Sequence, residues 1–341
     1  MKLNKWSLFA PMCLILTSCS EKNDSSSVVS QQFVHKYGFD MDKSEWNSRD
    51  KEGKSITLLE NGVTITKSYN EGVLHGPSTY TFANSSIIEK VELYDEGTLV
   101  KQIFMDEAGI PFKEESFEPG NKTAITHWDK FGVPISIESY ESNALVMAKY
   151  YKPNNELEAS IQDGSGVRIK RDRNGELQYK DILDKGVLKE RTTFHSNGQI
   201  QSKMCFHDYK LHGEQITYSD TASIIMRTNW SNGNLDGEKI AYRNGNKISE
   251  IPYVNGKKHG IERHWKEDGS LISEVHWDSN TKHGSQRVYN DDETLISWFY
   301  KGKQVSINKF EEFSQREKLI ADRDAFYKMV QNLDDIEVLR E

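Results

Sequence analysis

Aromatic residues recur through most of this chain at intervals of 23 or 24 residues. One series in the second half consists of Phe206, Trp230, Tyr253, Trp277 and Tyr300. A second series lies about halfway between those positions and consists of Phe194, Tyr218, Tyr242, Trp265 and Tyr289. Glycines keep the same interval, and weaker copies extend back to about residue 53. A fixed period of this length indicates a repeat array, in which each unit packs only against its neighbours.

Each repeat contains two strand-like runs joined by tight turns. In the run from 261 to 265, Ile261, Arg263 and Trp265 would fall on one side of a strand and Glu262 and His264 on the other, because successive strand side chains point to opposite faces. Pairs such as Asn244-Gly245 predict hairpin turns, since both residues tolerate positive φ. Strands joined in this way are antiparallel neighbours. The predicted fold class is therefore all-β: an elongated single-layer antiparallel meander of hairpin repeats of about 23 residues, with about twenty strands.

A different pattern follows Gly302. Apolar side chains then recur at a helical spacing, with charged residues between them. The stripe consists of Phe310, Phe313, Ile320, Phe326, Val330 and Leu333. We predict a helical cap over residues 306–341, continuous or broken near Asn332, because a repeat array needs a terminal element to cover its last open edge. The alternative is a helix that binds a partner.

The first residues of the chain have the layout of a signal peptide. Lys2 and Lys5 precede an apolar run over residues 6–16, which is too short to span a bilayer as a helix. We therefore predict that residues 1–18 are a signal peptide. Residues 19–45 begin with Cys19 and a polar stretch, and we expect them to form a flexible tether. The repeat array would then occupy residues 46–305.

The segment Leu16-Thr17-Ser18-Cys19 resembles a bacterial lipobox. The resemblance implies cleavage before Cys19 and attachment of acyl chains such as palmitate to this residue, which would hold the protein on a membrane stably. In the sorting pattern of enteric bacteria, Ser20 at the next position favours the outer membrane over the inner membrane. The alternative is an ordinary signal peptide with an incidental cysteine.

The clearest repeat lies at residues 242–260. It contains Tyr242-Arg243-Asn244-Gly245, then Tyr253, then Gly256-Lys257-Lys258-His259-Gly260. These residues resemble the bacterial variant of the MORN repeat, some members of which are described as antitoxin-like. The resemblance covers about 250 residues, most clearly from 190 to 302. It implies an extended β-sheet that serves as a binding or scaffolding surface, in this case presented by a membrane-anchored lipoprotein.

Several function classes find no support in the sequence. Lys and Arg total 44 against 52 Asp and Glu, with no basic block, so nucleic acid is not an expected partner. Three cysteines exclude a disulfide scaffold and a cysteine-based zinc site. His75, His212, His259 and His283 occupy equivalent repeat positions. Such positions are about 9.6 Å apart in consecutive repeats, too far to share a metal ion. We expect no metal, no cofactor and no catalytic residues, and hence no enzyme.

The most regular repeats supply the candidate binding surface: Trp230, Trp265, Trp277, Tyr289, His264 and His276. His264 and His276 each precede a Trp on adjacent predicted strands and could face each other. The rings either stack within the sheet or are exposed for binding. We predict a non-enzymatic scaffold of the cell envelope, with an unknown envelope protein as partner and the membrane contacted through the lipid anchor. The alternative is a module that binds glycan, choline or lipid headgroups through its aromatic rings.

Overall fold

The structure is a computed structural model that describes residues 27–49, 51–290 and 293–338. The predicted signal peptide and Cys19 lie outside the described residues. None of the helices in the described ranges combines the length and the apolar character needed to cross a membrane. The chain divides into two compact units that meet in sequence at Glu118 and Pro119. The 23-residue period continues across this boundary in the sequence. The sequence therefore predicts one uninterrupted array and gives no sign of two units.

The N-terminal unit is an antiparallel meander with one short helix. Its elements are β1 (Val28–His35), β2 (Asp40–Met41), α1 (Lys43–Ser48), β3 (Gly53–Leu59), β4 (Thr64–Asn70), β5 (Val73–Leu74), β6 (Gly76–Thr81), β7 (Ile88–Asp95), β8 (Thr98–Met105) and β9 (Pro111–Glu118). Asp42 caps α1 by accepting a hydrogen bond from the Glu45 N–H at 2.8 Å. A small apolar cluster of Phe33, Met41 and Trp46 lies where β1, β2 and α1 meet.

The predicted tether over residues 19–45 is wrong from Val28 onward. Strand β1 pairs with β3 along its whole length, from Val28 opposite Leu59 to His35 opposite Gly53. The pairing holds because Phe33 is buried and stacks on Trp46, with 5.1 Å between ring centroids. The polar side chains that suggested a tether lie on an exposed surface, where Gln32 donates to Asp40. The array therefore begins at β1 and not at residue 46.

The C-terminal unit continues the same plan. Its strands are β10 (Lys122–Trp128), β11 (Pro134–Glu141), β12 (Ala144–Tyr151), β13 (Leu157–Gln162), β14 (Ser165–Arg171), β15 (Leu177–Asp184), β16 (Val187–Phe194), β17 (Ile200–His207), β18 (Lys210–Leu211), β19 (Gly213–Tyr218), β20 (Ile224–Ser231), β21 (Asn234–Arg243), β22 (Asn246–Val254), β23 (Lys257–Lys258), β24 (Gly260–Trp265), β25 (Leu271–Asp278), β26 (Thr281–Tyr289), β27 (Thr294–Tyr300) and β28 (Lys303–Val305). The helix α2 (Ile307–Val338) follows. The predicted fold class, an antiparallel hairpin meander with a C-terminal helix, is confirmed.

Two kinds of turn alternate along the meander and explain its period. The first has two residues, both at positive φ, as in Asn255-Gly256 at 51° and 78°. The second is longer: Asp106 Oδ1 accepts from the Ala108 and Ile110 N–H groups at 2.9 Å. Two strands of eight residues, a turn of two and a turn of five make a unit of 23, as in residues 177–199. The period is thus set by strand length and turn type.

The two-residue turns form a second backbone ladder between neighbouring hairpins. In each case a turn N–H donates to a carbonyl of the preceding hairpin. The bonds are Gly97 to Leu74 (2.8 Å), Gly233 to Leu211 (2.8 Å), Gly256 to Leu235 (2.7 Å) and Gly302 to Lys282 (2.8 Å). These bonds fix the turns of consecutive repeats against each other, so this side of the array contributes to stability as well as to connectivity.

The repeated histidines form hydrogen bonds with neighbouring strands and turns. His212 and His259 lie at irregular positions after a two-residue strand, where their N–H groups donate to Cys205 and Pro252. The ring of His283 accepts from the Lys301 N–H in the next turn at 3.4 Å. His75 makes the same contact with Glu96. The interruptions at His75, His212 and His259 separate three short strands, β5, β18 and β23, from the strands that follow, and so account for part of the difference between the 28 described strands and the twenty or so expected.

Helix α2 is continuous over Ile307–Val338, without a break near Asn332. Its first two turns pack on the last hairpin: Phe310 lies 4.9 Å from Trp298 and Phe313 lies 4.8 Å from Tyr300 between ring centroids. Ile320, which the sequence places in the same stripe, is 42% exposed. The predicted stripe therefore contacts the sheet through its first part.

We expect Gly166→Ala to destabilise the C-terminal unit more than Gly198→Ala. Both glycines have positive φ, at 140° and 81°, but a Cβ at Gly166 would lie 2.2 Å from the Ser160 carbonyl oxygen, whereas nothing lies within 4 Å of one at Gly198. The expected losses in unfolding free energy are roughly 3 kcal/mol or more for Gly166→Ala and about 1 kcal/mol for Gly198→Ala. Urea unfolding of both variants measures this difference, and equal losses would contradict the strained approach of β13 and β14.

Candidate interaction surface

The six residues predicted for the binding surface are all half-buried. They lie on β20, β24, β25 and β26, in the most regular part of the C-terminal unit. They do not form one surface, because strand register places them on different faces of the sheet. The register therefore decides which of them can act together.

His264 and His276 do not face each other, contrary to the prediction. In the pairing of β24 with β25, His264 lies opposite Ser273, and His276 lies opposite Ile261. His276 is therefore three residues along β25 from the residue opposite His264. Because side chains alternate between the two faces along a strand, this odd separation places the two histidines on opposite faces. His264 Nε2 lies 2.8 Å from Glu262 Oε1, and His276 Nδ1 donates to the Ser285 carbonyl at 2.8 Å.

The tryptophans are engaged with neighbouring side chains. Lys258 Nζ lies 4.7 Å from the ring centroid of Trp277, and Lys247 Nζ lies 4.7 Å from that of Trp265. Trp230 Nε1 donates to Gln215 Oε1 at 2.9 Å. Cation–π contacts of this kind stabilise adjacent strands. These rings therefore contribute to packing between repeats.

A row of alternating charges crosses four strands on the His276 face. It consists of Glu250, Arg263, Glu274 and Arg287, each opposite the next in the strand register, and we call it the charge ladder. Arg263 Nε lies 3.0 Å from Glu274 Oε1, and Arg287 Nη1 lies 3.5 Å from Glu274 Oε2. Lys247 contacts Glu250 at 2.9 Å at the other end. The row thus ends with a cation at Arg287, and at its other end Glu250 is paired with Lys247 and adjoins Glu238.

The environment keeps the ladder carboxylates ionised. Burial alone would raise the pKa of Glu274, but hydrogen bonds from Arg263 and Tyr289 outweigh it, and the pKa is lowered. Burial likewise raises the pKa of Glu250, but the hydrogen bond from Lys247 and the charges of Lys247 and Arg263 outweigh it, and the pKa is lowered. Both carboxylates are only 14% exposed, whereas Arg287 is 42% exposed. The guanidinium groups are therefore more accessible to solvent than the carboxylates between them.

A shallow groove of about 550 Å³ lies over the last part of the ladder, and we call it the C-terminal groove. It is lined by Ile261, Arg263, Glu274, His276, His283, Gly284, Ser285, Arg287, Trp298 and Phe310. A smaller depression of about 210 Å³ adjoins it through Ile261 and Arg263. Phe310 of α2 forms one wall, so the helix completes the groove. Of the predicted residues, only His276 lines it.

The charge ladder in this groove also has a regular spacing in the sequence, although the aromatic series is the more obvious pattern. Glu250 and Glu274 are 24 residues apart, and so are Arg263 and Arg287. The ladder therefore follows the repeat period as closely as the rings do. With 52 carboxylates in the chain, only strand register distinguishes these pairs from incidental ones.

A related arrangement in the less regular repeats is closed to solvent. Asp181 on β15 is fully buried between Arg168 and Arg191, which lie opposite it on the two adjacent strands. Arg191 Nε approaches its carboxylate to 2.6 Å, and the Arg191 guanidinium lies 4.4 Å from the ring centroid of Tyr179. This cluster stabilises its repeats, while the arginines of the charge ladder remain partly exposed to solvent.

Comparison with known proteins gives a limited result. Residues 189–208 and 258–279 match the MORN repeat variant family. Two segments of the chain are thus similar to MORN repeat variants. The second match covers Arg263 and Glu274 of the charge ladder.

Among curated proteins, none matches the chain. Two solved structures align at 10% sequence identity. BamB from Moraxella catarrhalis covers 74% of this chain and 83% of its own length with a TM-score of 0.16. The alignment with a porin-like protein from Bacteroides uniformis covers 81% of this chain and 91% of that protein, with a TM-score of 0.13. TM-scores this low support no inference about fold or function.

Stability should fall as the ladder carboxylates become protonated. Because the folded-state pKa of Glu274 is below its unfolded value, its contribution is fully present above the unfolded pKa of about 4.3 and is lost as pH falls through the folded pKa. We expect Glu274→Gln to lower the unfolding free energy at pH 7 by about 1 kcal/mol and to reduce the loss of stability between about pH 5 and pH 3.

Urea unfolding across this pH range measures both effects. Glu267→Gln is the matched control, since Glu267 is 52% exposed and contacts Arg243 at 3.6 Å. An unchanged pH profile in Glu274→Gln would show that the ladder does not couple protonation to folding.

Proposed function

We propose that this protein is a lipid-anchored, non-enzymatic scaffold of the bacterial cell envelope. Acyl chains on Cys19 hold it on the membrane, the outer membrane in particular, and its MORN-like repeats present a binding surface to an envelope protein. The presence of MORN repeat variants supports a scaffold role. The lipobox resemblance at residues 16–19 supports the anchor.

The C-terminal groove is the observation that carries this proposal. It is open and shallow, and Glu274 is held ionised by Arg263 and Tyr289. A general base needs a pKa near the working pH, which such pairing opposes. In the described part of the chain, no group of three or more His, Cys, Asp or Glu side chains could hold a metal ion. Fixed alternating charges are instead suited to recognising a complementary protein surface.

The same contacts make choline binding the weaker alternative. A cationic headgroup would need the face of an aromatic ring, yet Lys258 and Lys247 already lie over Trp277 and Trp265. A ligand cation would have to displace an amine that belongs to the sheet. We therefore retain glycan, choline or lipid headgroup binding as the second candidate.

The anchor is tested by substitution of Cys19. We expect the wild-type protein to incorporate labelled palmitate and to sediment with membranes, and Cys19→Ser to do neither, because its hydroxyl is not acylated by this route. Cys205→Ser is the control and should behave as wild type, since Cys205 is an exposed residue of the array. A wild-type protein that stays unlabelled and soluble would refute the anchor.

The scaffold role is tested by photo-crosslinking in living cells. A crosslinker replaces Tyr289, which contacts Glu274 at 2.9 Å, or Trp230 or Trp265, which contact other strands. We expect a discrete protein adduct at position 289 that mass spectrometry can identify, and weaker adducts at position 230. Adducts to glycan or lipid alone, at all three positions, would favour the headgroup-binding alternative.

A further inference from the structure

Arg287 is the least completely paired member of the charge ladder. It shares Glu274 with Arg263, and its contact is the longer of the two, 3.5 Å against 3.0 Å. Its other strand neighbour, Ile296 on β27, carries no charge. With 42% of its side chain exposed, Arg287 retains N–H donors that can reach a ligand.

An apolar strip borders this guanidinium. Ile296, directly opposite Arg287 in the strand register, is 54% exposed. Trp298, two residues along the same strand and therefore on the same face, packs against Phe310 at 4.9 Å. A single exposed isoleucine does not by itself mark a binding site, but Ile296 lies beside a groove with an aromatic wall. The surface thus combines an accessible cation with adjoining apolar contacts.

We infer that the C-terminal groove binds an acidic peptide segment of a protein partner. A carboxylate of the segment pairs with Arg287, and an apolar side chain next to it packs against Ile296 and Trp298. This inference rests on the proposed scaffold function and names the chemistry of its partner. Arginine binds carboxylates through two parallel hydrogen bonds, and tryptophan and arginine dominate the energy of protein interfaces.

The exposed charge of the ladder favours an acidic segment over a basic one. The ladder carboxylates are only 14% exposed, whereas Arg287 at the groove end of the row is 42% exposed, so a segment that enters the C-terminal groove meets Arg287 before Glu274. The chain as a whole has a net charge of -8, so this cationic surface is locally distinct. Complementary charge both steers association and selects against the wrong partner.

The shape of the groove favours a peptide over an enclosed small molecule. A cavity of about 550 Å³ holds two or three side chains, but this one is open along the sheet. Small-molecule sites bury most of their ligand surface. A continuous segment can instead pass over the groove and place only some side chains inside it.

The probe is a fluorescein-labelled peptide, Gly-Leu-Glu-Phe-Glu-Leu-Gly, compared with versions in which both Glu residues are Gln or Lys. Anisotropy with the full-length protein measures the dissociation constants. We expect the Glu peptide to bind at least about tenfold more tightly than the Gln peptide, and the difference to shrink at high salt. Equal affinity for the Glu and Gln peptides would overturn the inference.

Substitution of Arg287 localises the site. Arg287→Glu should reverse the preference, so that the Lys peptide binds better than the Glu peptide, and Arg287→Gln should abolish the preference without placing a new charge beside Glu274. Arg227→Gln is the matched control, because Arg227 is 41% exposed and contacts Glu214 at 3.2 Å. If Arg287→Gln is folded, as its thermal melt shows, and keeps the wild-type preference, the assignment to Arg287 is wrong.

A crosslinker at position 296 separates this inference from the scaffold proposal. We expect a protein adduct in living cells that disappears in Arg287→Gln. A protein adduct at position 289 with none at position 296 would leave the scaffold standing and overturn the groove assignment. Arg287-dependent binding to phosphatidylglycerol vesicles without binding of the Glu peptide would assign the groove to a phosphate headgroup and also overturn it.

Discussion

Carboxylates held between side chains of adjacent strands are the interaction on which these repeats depend. Among the described residues, eleven of the buried residues are polar or charged and only nine are hydrophobic. Apolar burial alone therefore cannot hold the strands in register. Glu92 accepts hydrogen bonds from Tyr80 and Tyr94 in the N-terminal unit, and Asp181 lies between two arginines in the C-terminal unit. Loss of one partner from such a cluster leaves a charge that is desolvated and unpaired, which costs more than the pair contributes.

This way of holding strands together is also the basis of the recognition that we propose. A ladder such as Glu250, Arg263, Glu274 and Arg287 spaces its charges by the separation of strands, about 4.8 Å, and holds each side chain by its neighbours. The arginines are thus ordered before any partner arrives, which reduces the entropy lost on binding. The two clusters differ in exposure: Asp181 is closed to solvent, and Arg287 is not.

The sequence predicts the repeat well because its period follows from local rules. Turn residues at positive φ and strands of eight residues specify a hairpin unit of 23, and the helical spacing after Gly302 specifies α2. The face of the sheet on which a side chain lies is harder to predict, since a shift of one residue in strand register moves the side chain to the other face. His264 and His276 could face each other as far as the sequence shows, but the register places them on opposite faces. Strand β1 was missed because its polar exposed residues conceal Phe33, whose burial depends on Trp46.

The end of a repeat array is where its pairing pattern cannot be completed. Inside the array, a ladder residue has a partner on each side, as Glu274 has in Arg263 and Arg287. Arg287 lies next to the last long strand, and the residue opposite it there is the apolar Ile296. Helix α2 covers Trp298 through Phe310 but leaves Ile296 exposed. An array of similar repeats can therefore differ at one position, because at Arg287 the ladder has a cation whose neighbour on the next strand carries no charge.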